Sequence, residues 1–403
     1  MGEWKEYQLD ELASVTGGKR LPPGAFLTDT PNSHPYIRTR DLAGNKVDAN
    51  ALQFVPDDVF PHIKQYIVTA GDIIVSVVGT IGLCAMIPEE LHNASLTENC
   101  NRISGFKTTL VNPEYLFFYL TGSVGQDELR QRTVGSTQPK LPMYNLREMP
   151  VPLPPIEEQR AIASVLSSLD AKIDLLHRQN KTLEAMAEAL FRQWFVEEAE
   201  EGWEEVELGR FVDCVNGVSY KSSELNPSKT ALVTLKNFAR DGGFRLDGFK
   251  EFDGAYKPQH EVFAGDLVVA HTDITQDASL IGNPVLVVPR AKYDRLVISM
   301  DLVKVVPREN WCSKIFLYHL MRAGEFKEHA VGYSNGSTVL HLSKKAVPEF
   351  EFLLPPKEKV ARFTEVAEDL HRKKDLNIVT IDNLTALRDT LLPKLMSGEV
   401  GCR

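Results

Sequence analysis

The sequence predicts an α+β fold laid down twice. Two mixed strand-and-helix domains are each followed by one long helix, and the two helices pack on each other. Three observations carry this. Gly135–Pro155 aligns without a gap on Gly336–Pro356 at an offset of 201, with eight of 21 positions identical; chance similarity gives about one or two. After each Pro-Pro step, apolar residues recur 4-3-4-3, which is a heptad seam. Before each Pro-Pro step, short β-branched runs alternate with short amphipathic segments.

The segments follow in order. At about 150 residues per domain, a chain of 403 residues, 43% hydrophobic and 25% charged, has room for more than one core. The first domain spans 1–152. Within it Ala70-Gly-Asp-Ile-Ile-Val75 opens a buried strand across Val68–Val78, and Glu114–Thr121 is a short helix behind an Asn112 N-cap. The first long helix occupies 153–200, led by Pro154-Pro155 with Glu157 and Glu158 in its first turn, where the helix dipole favours carboxylates. Its seam is Ile162, Leu166, Leu169, Ile173, Leu176, Asn180, Leu183, Ala187, Leu190 and Trp194. A helix of about 34 residues is about 50 Å long.

The second domain, 201–353, repeats the plan. Trp203-Glu-Glu-Val-Glu-Leu208 matches Trp4-Lys-Glu-Tyr-Gln-Leu9, and Ala264-Gly-Asp-Leu-Val-Val269 matches the first strand opening. Thr234-Leu-Lys-Asn-Phe238 sits where Arg38-Thr-Arg-Asp-Leu42 sits, and Lys314–Arg322 is the second short helix. The second long helix and tail occupy 354–403, with Phe363, Ala367, Leu370, Ile381, Leu384, Leu391 and Leu395 in frame. Lys374, Asn377 and Arg388 interrupt the seam; Asn180 and Asn377 are polar seam residues of the kind that sets register.

Searches for chemistry exclude several classes. There is no GxxxxGK[ST] loop, GxSxG elbow or HExxH, and Gly17–Gly24 reads as a turn. Asn112-Pro-Glu-Tyr115 reads as a helix cap. Five scattered cysteines without CxxC spacing predict no disulfide framework and no metal site, and place the chain in the cytoplasm. No apolar run approaches the ~20 residues of a membrane span, and the charged start predicts no secretion signal.

Binding chemistry is better represented. The net charge of −10 argues against general nucleic-acid coating. The windows Leu129–Arg147 and Ala330–Pro348, however, contain no carboxylate, and each holds a Gly-Ser-Thr whose hydroxyls and NH groups suit phosphate oxygens. Candidate DNA contacts are Lys19, Arg20, Arg38, Arg40, Arg132, Ser136, Thr137, Gln138 and Lys140 in the first repeat. In the second they are Tyr220, Lys221, Lys236, Asn237, Arg240, Asn335, Ser337, Thr338, His341 and Lys344. Residues 151–202 are acidic, and Glu184 and Glu188 are expected there to face a partner protein.

The chain resembles the specificity subunit of type I restriction-modification systems. The resemblance is carried by Leu153-Pro-Pro-Ile-Glu-Glu-Gln-Arg-Ala-Ile-Ala163, Leu183-Glu-Ala-Met-Ala-Glu-Ala-Leu-Phe-Arg-Gln-Trp-Phe195, Trp203–Leu208 and Leu391-Leu-Pro-Lys-Leu-Met-Ser-Gly-Glu-Val400, and it covers essentially the whole chain. Pro355-Pro-Lys-Glu-Lys-Val360 departs from the Ile-x-x-Gln usual after the prolines. The resemblance implies two target-recognition domains, each reading half of an asymmetric, interrupted site in double-stranded DNA. The helices would form an antiparallel coiled coil that spaces the domains about a pseudo-two-fold axis. Two methylation subunits using S-adenosylmethionine would dock there, and motor-nuclease restriction subunits using ATP and magnesium would join them. This chain would bind no cofactor, cross no membrane and carry no catalytic residue. The alternatives are a coiled-coil adaptor with no DNA role and a fused nuclease or methyltransferase; the missing motifs weigh against the latter.

Overall fold

A computed structural model describes residues 4–239, 242–273, 278–336 and 339–401. The chain divides into two compact units, residues 1–172 with 385–403 and residues 173–384. The boundaries therefore do not follow the four sequence segments. Each unit takes a globular part and a stretch of both long helices, because the helix stretches bury apolar side chains in the unit's core.

In the first unit a four-stranded sheet runs in the order Ser14–Gly17, Cys100–Ser104, Ile73–Ser76, Cys84–Met86, with all neighbours antiparallel. A second sheet places Pro35–Ile37 between antiparallel Gln53–Phe54 and parallel Ser95–Leu96. Lys5–Gln8 pairs with Pro150–Leu153 immediately before the helix prolines. The core joins Ile73, Val75 and Ile103 to Tyr115 and Tyr119 of the helix Pro113–Thr121, and to Ile162, Leu166, Leu395 and Met396 of the long helices. Asn112 caps Pro113–Thr121 as its sequence predicts: its Oδ1 accepts from the Tyr115 amide at 2.9 Å.

The second unit repeats the four-stranded sheet strand for strand and keeps the plan of the second sheet, with Glu261–Val262 added at its edge. Its sheet runs Val212–Asn216, Leu302–Pro307, Leu267–Ala270, Pro284–Leu286. Thr230–Val233 lies between antiparallel Lys250–Glu251 and parallel Arg295–Ile298. The Ala-Gly-Asp turn forms identically in both. The Asp72 carboxylate accepts from the Thr69 amide at 2.6 Å, the Asp266 carboxylate from the Phe263 amide at 2.9 Å, and the intervening glycines have φ of 83° and 76°. Gly18 and Gly217 follow the first sheet strand of each unit. A Cβ there would stand 2.1 Å from the Thr97 carbonyl oxygen and 2.0 Å from that of Ser299, so only glycine lets the two backbones cross.

The long helices are Ile156–Arg192, prolonged by a π turn over Gln193–Glu197, and Lys357–Met396. Every seam position predicted on both is buried or half-buried. The residues that interrupt the second seam have partners on the first helix. In the second unit Lys374 pairs with Glu184, and Asn377 Nδ2 donates to Asn180 Oδ1 at 2.9 Å; in the first unit Arg388 meets Asp170 at 2.8 Å. Within each unit the numbers rise on one helix as they fall on the other, so the stretches run antiparallel.

One expectation is corrected. Glu184 does not face solvent for a partner. Lys374 and Tyr318 Oη both bind it, while Glu188 accepts from Arg322 Nε at 2.9 Å. Burial alone would raise the Glu184 pKa, but the Lys374 charge and the two hydrogen bonds outweigh it and hold it at about 2. The Pro-Pro-Lys-Glu-Lys-Val departure also has a cause. In the first unit Gln159 accepts from the Asn112 amide and donates to the Leu110 and Pro154 carbonyls. The matching Val360 is fully buried in an apolar core, and there Ser313 caps its own helix while its hydroxyl meets Thr364 of the long helix at 2.7 Å.

Candidate nucleic-acid interface

Strand ends converge at one end of each four-stranded sheet, held by four backbone bonds that recur in both units. In the first unit the amides of Gly18, Lys19, Val77 and Leu141 donate to the carbonyls of Cys100, Leu96, Asn99 and Val77. In the second, Gly217, Val218, His271 and Leu342 donate to Leu302, Ile298, Asp301 and His271. The carboxylate-free windows dock at this place. Val134 pairs with Lys140, and at the same offset Asn335 pairs with His341. Between each pair the chain turns through Gly135 or Gly336, both at positive φ.

The framework sorts the candidate residues by whether their polar groups are already used. Lys140, Lys221, Lys236 and Lys344 are exposed and have no hydrogen-bonded or ion-paired side-chain partner among the described residues. Ser136, Thr137 and Gln138 are exposed in the Lys140 turn, and Asn335 and His341 are exposed on the matching turn. Lys19 is exposed, with Nζ 5.8 Å from the Tyr66 ring centre. Arg20, also exposed, is paired with Glu98 at 2.6 Å. Arg40 keeps two thirds of its side chain in solvent while Nη2 donates to Gln53 Oε1 at 3.2 Å. Tyr220 is half-buried and accepts from Lys250 Nζ at 2.9 Å.

Three candidates are structural instead. Arg38 is held inside by Asp41, itself 1% exposed, with Nε to Oδ2 at 3.0 Å, and by Gln53. Asn237 is fully buried. Its Oδ1 accepts from the Thr234 amide and its Nδ2 donates to the Arg245 carbonyl, both at 2.8 Å, so it closes its own turn and cannot reach a base edge. Asp41 and Asn237 stand at the same point of the two repeats, as caps of equivalent 3-10 turns. Arg132 is tied to Glu128 one helical turn back. Arg240, Ser337 and Thr338 lie outside the described residues.

The second unit's face also carries His271, beside His341 and Lys344. Burial lowers its pKa first, and those two neighbours lower it further against the pull of Asp301, so it stays neutral at physiological pH. Sequence reading missed this residue, because its place follows from the sheet end rather than from a motif. It also missed Tyr144, 61% exposed just beyond Lys140, and Met300, 49% exposed beside Val218; single exposed apolar residues have no sequence signature. Among the described residues no group of three or more His, Cys, Asp or Glu could hold a metal ion, and no helix is long and apolar enough to cross a membrane.

The family model of the type I restriction modification DNA specificity domain matches residues 1–185. The MjaIX type I restriction enzyme specificity subunit of Methanocaldococcus jannaschii is 24% identical over 99% of this chain and 94% of its own length. Along nearly its whole length the chain is thus similar to type I restriction enzyme specificity subunits. The HindI specificity subunit of Haemophilus influenzae is 23% identical across 99% of this chain and all of its own length. The fold is similar to the crystal structure of the type I restriction-modification S subunit from M. genitalium, with a TM-score of 0.64 at 17% identity, covering 97% of this chain and 96% of that one. The similarity to the MjaIX and HindI subunits spans both repeats, in keeping with the shared sheet order of the two units.

Proposed function

We propose that this chain is the DNA sequence-specificity subunit of a type I restriction-modification complex. Each globular part reads one half of a bipartite site in double-stranded DNA. The observation that carries this reading is the recurrence of one sheet end, bearing lysines without partners and a carboxylate-free turn, in two units of the same topology. Lys140, Lys221, Lys236 and Lys344 supply point charges to phosphates; Gln138, Asn335 and His341 have free hydrogen-bonding groups for base edges. Because the two faces differ in residues on a shared backbone plan, the two half-sites differ in sequence.

The chain itself carries no catalytic residue in this reading. Methylation subunits using S-adenosylmethionine, and restriction subunits using ATP and magnesium, supply the chemistry in the cytoplasm. Two methylation subunits dock on the long helices. What supports a pair of identical partners is a repeated feature of the outer helix faces. Val165, Leu175 and Met186 of the first helix are 38%, 41% and 49% exposed, and Val366, Leu376 and Leu387, at the repeat offset, are 44%, 59% and 47% exposed. Surface apolar residues kept at equivalent points of two repeats fit one partner used twice.

The test is to map N6-methyladenine in DNA from cells expressing this chain with the two other subunits. An asymmetric, interrupted motif is expected. An absence of any motif, with the assembled complex failing to retard duplex DNA at low salt, would leave an adaptor role in its place.

A further inference from the structure

We propose that Phe26 is an apolar wedge that inserts into the base stack of the half-site read by the first repeat; this rests on the DNA-specificity reading above. Phe26 is 80% exposed, the highest value among the exposed large hydrophobic residues described. Its neighbours in sequence do not share that exposure: Leu21 and Leu27 pack on the small core of Tyr36, Val55 and Ile63. Phe26 therefore points outward while the residues either side anchor the loop.

The loop is stiff. Pro22-Pro23-Gly24-Ala25 forms a turn in which the Ala25 amide donates to the Pro22 carbonyl at 3.1 Å, with Gly24 at φ 83°. Proline before glycine at positive φ is the chemistry of a type II turn. Two residues after Phe26, Thr28 exchanges backbone bonds with Phe54 at 2.9 and 2.8 Å. The ring is thus carried on a short arm fixed at both ends, so little conformational entropy is lost when it is buried by a partner.

Its surroundings are mixed in charge, with Lys19 the exposed cation that no carboxylate pairs among the described residues. The arm leaves the sheet end directly after Lys19 and Arg20. Asp29, beyond the ring, does not stand free: it accepts from Gln53 Nε2 at 2.7 Å, and Gln53 Oε1 in turn accepts from the largely exposed Arg40. An apolar side chain on a rigid loop that follows the exposed Lys19 matches the chemistry with which proteins part a base step and hold it open. The second repeat has no counterpart. At the offset that relates Gly18 to Gly217, the residue is Leu225, which packs against Leu232, Phe252 and Val297. The wedge belongs to one half-site only.

The experiment uses the full chain assembled with its methylation subunits on a cognate duplex. 2-Aminopurine is placed in turn at each position of the first half-site except the methylated adenine, which the methylation subunit itself unstacks. With the natural protein, fluorescence rises on binding at one step. With Phe26→Ala that rise is lost and affinity falls roughly tenfold, the order of one aromatic–base stacking contact; Phe26→Trp keeps both, and the thermal midpoint of the free chain is unchanged in each. Unchanged affinity and fluorescence in Phe26→Ala overturn the wedge. So does a loss of subunit assembly without a change in the bound duplex, which makes Phe26 a protein contact. If the natural protein binds no duplex, it is the specificity reading that falls.

Discussion

Lys140 and Lys344 occupy the two exposed turns as cations that no carboxylate pairs among the described residues, so their charge is available to a phosphate. Lys140→Ala and Lys344→Ala are each expected to weaken duplex binding at all sequences and to lower the salt slope by about one, read by titration at several salt concentrations. Unchanged slopes would remove both from the interface. Arg38 behaves differently. Replacing it with Ala leaves the buried Asp41 carboxylate with only the Arg40 guanidinium, 3.7 Å away, so it should cost about 3 kcal/mol of stability, measured by denaturant unfolding, with any loss of binding following the loss of fold. That distinction was not legible in the residues. Arg38 and Lys140 are both basic side chains in carboxylate-poor loops. What separates them is whether a partner lies within reach: Asp41 is three positions on and folds back, whereas among the described residues no carboxylate pairs with Lys140. Asn237 likewise offers base-reading chemistry in sequence but spends it on its own backbone.

At the scale of elements, the heptad seam was legible because its period is local. The purpose of its interruptions was not, because each partner is about 190 to 218 residues away. Lys374→Leu alone leaves the buried Glu184 with only the Arg322 guanidinium, 3.7 Å away, and is expected to cost about 3 kcal/mol; Glu184→Leu with Lys374→Leu should restore part of it, the rest being withheld by the buried Tyr318 hydroxyl, which loses its acceptor. Thermal melting of the two variants decides this. The same junction makes stability pH-dependent. Glu184, held at about 2, contributes fully above about pH 4.5, its ordinary value, and loses that contribution as pH falls toward 2. His371 is pushed down to about 4, first by burial and then by Lys374, and His319 is also driven well below its usual range by burial; their Nε2 atoms lie 2.9 Å apart as a neutral pair. Between pH 6.5 and 4 the unfolded chain takes up protons that these rings refuse, which lowers stability. Asp375, raised by burial to about 6, acts in the opposite direction between about 3.8 and 6 and offsets one of the two histidines. The melting midpoint should therefore fall from pH 6.5 to 4, and more gently in His371→Gln. An equal fall in both would discard the histidine account.

For the whole molecule, the duplication was legible because a 21-residue block and the strand-opening turns survive in both copies, while the reading faces between them share little beyond their backbone. Exchanging residues 1–152 for the matching domain of another specificity subunit is expected to change one half of the methylated motif and leave the other intact. A change in both halves would break the modular reading. The polarity of the cross-helix ion pairs reaches into synthesis of the protein. Both carboxylates, Asp170 and Glu184, belong to the earlier helix, and both cations, Lys374 and Arg388, to the later one. A ribosome completes the earlier helix about 200 residues before its mate. Should two nascent chains bring their earlier helices together, neither acid finds a cation along that stripe, so the half-made rod is kept from sealing against a stranger until its own chain delivers the complement.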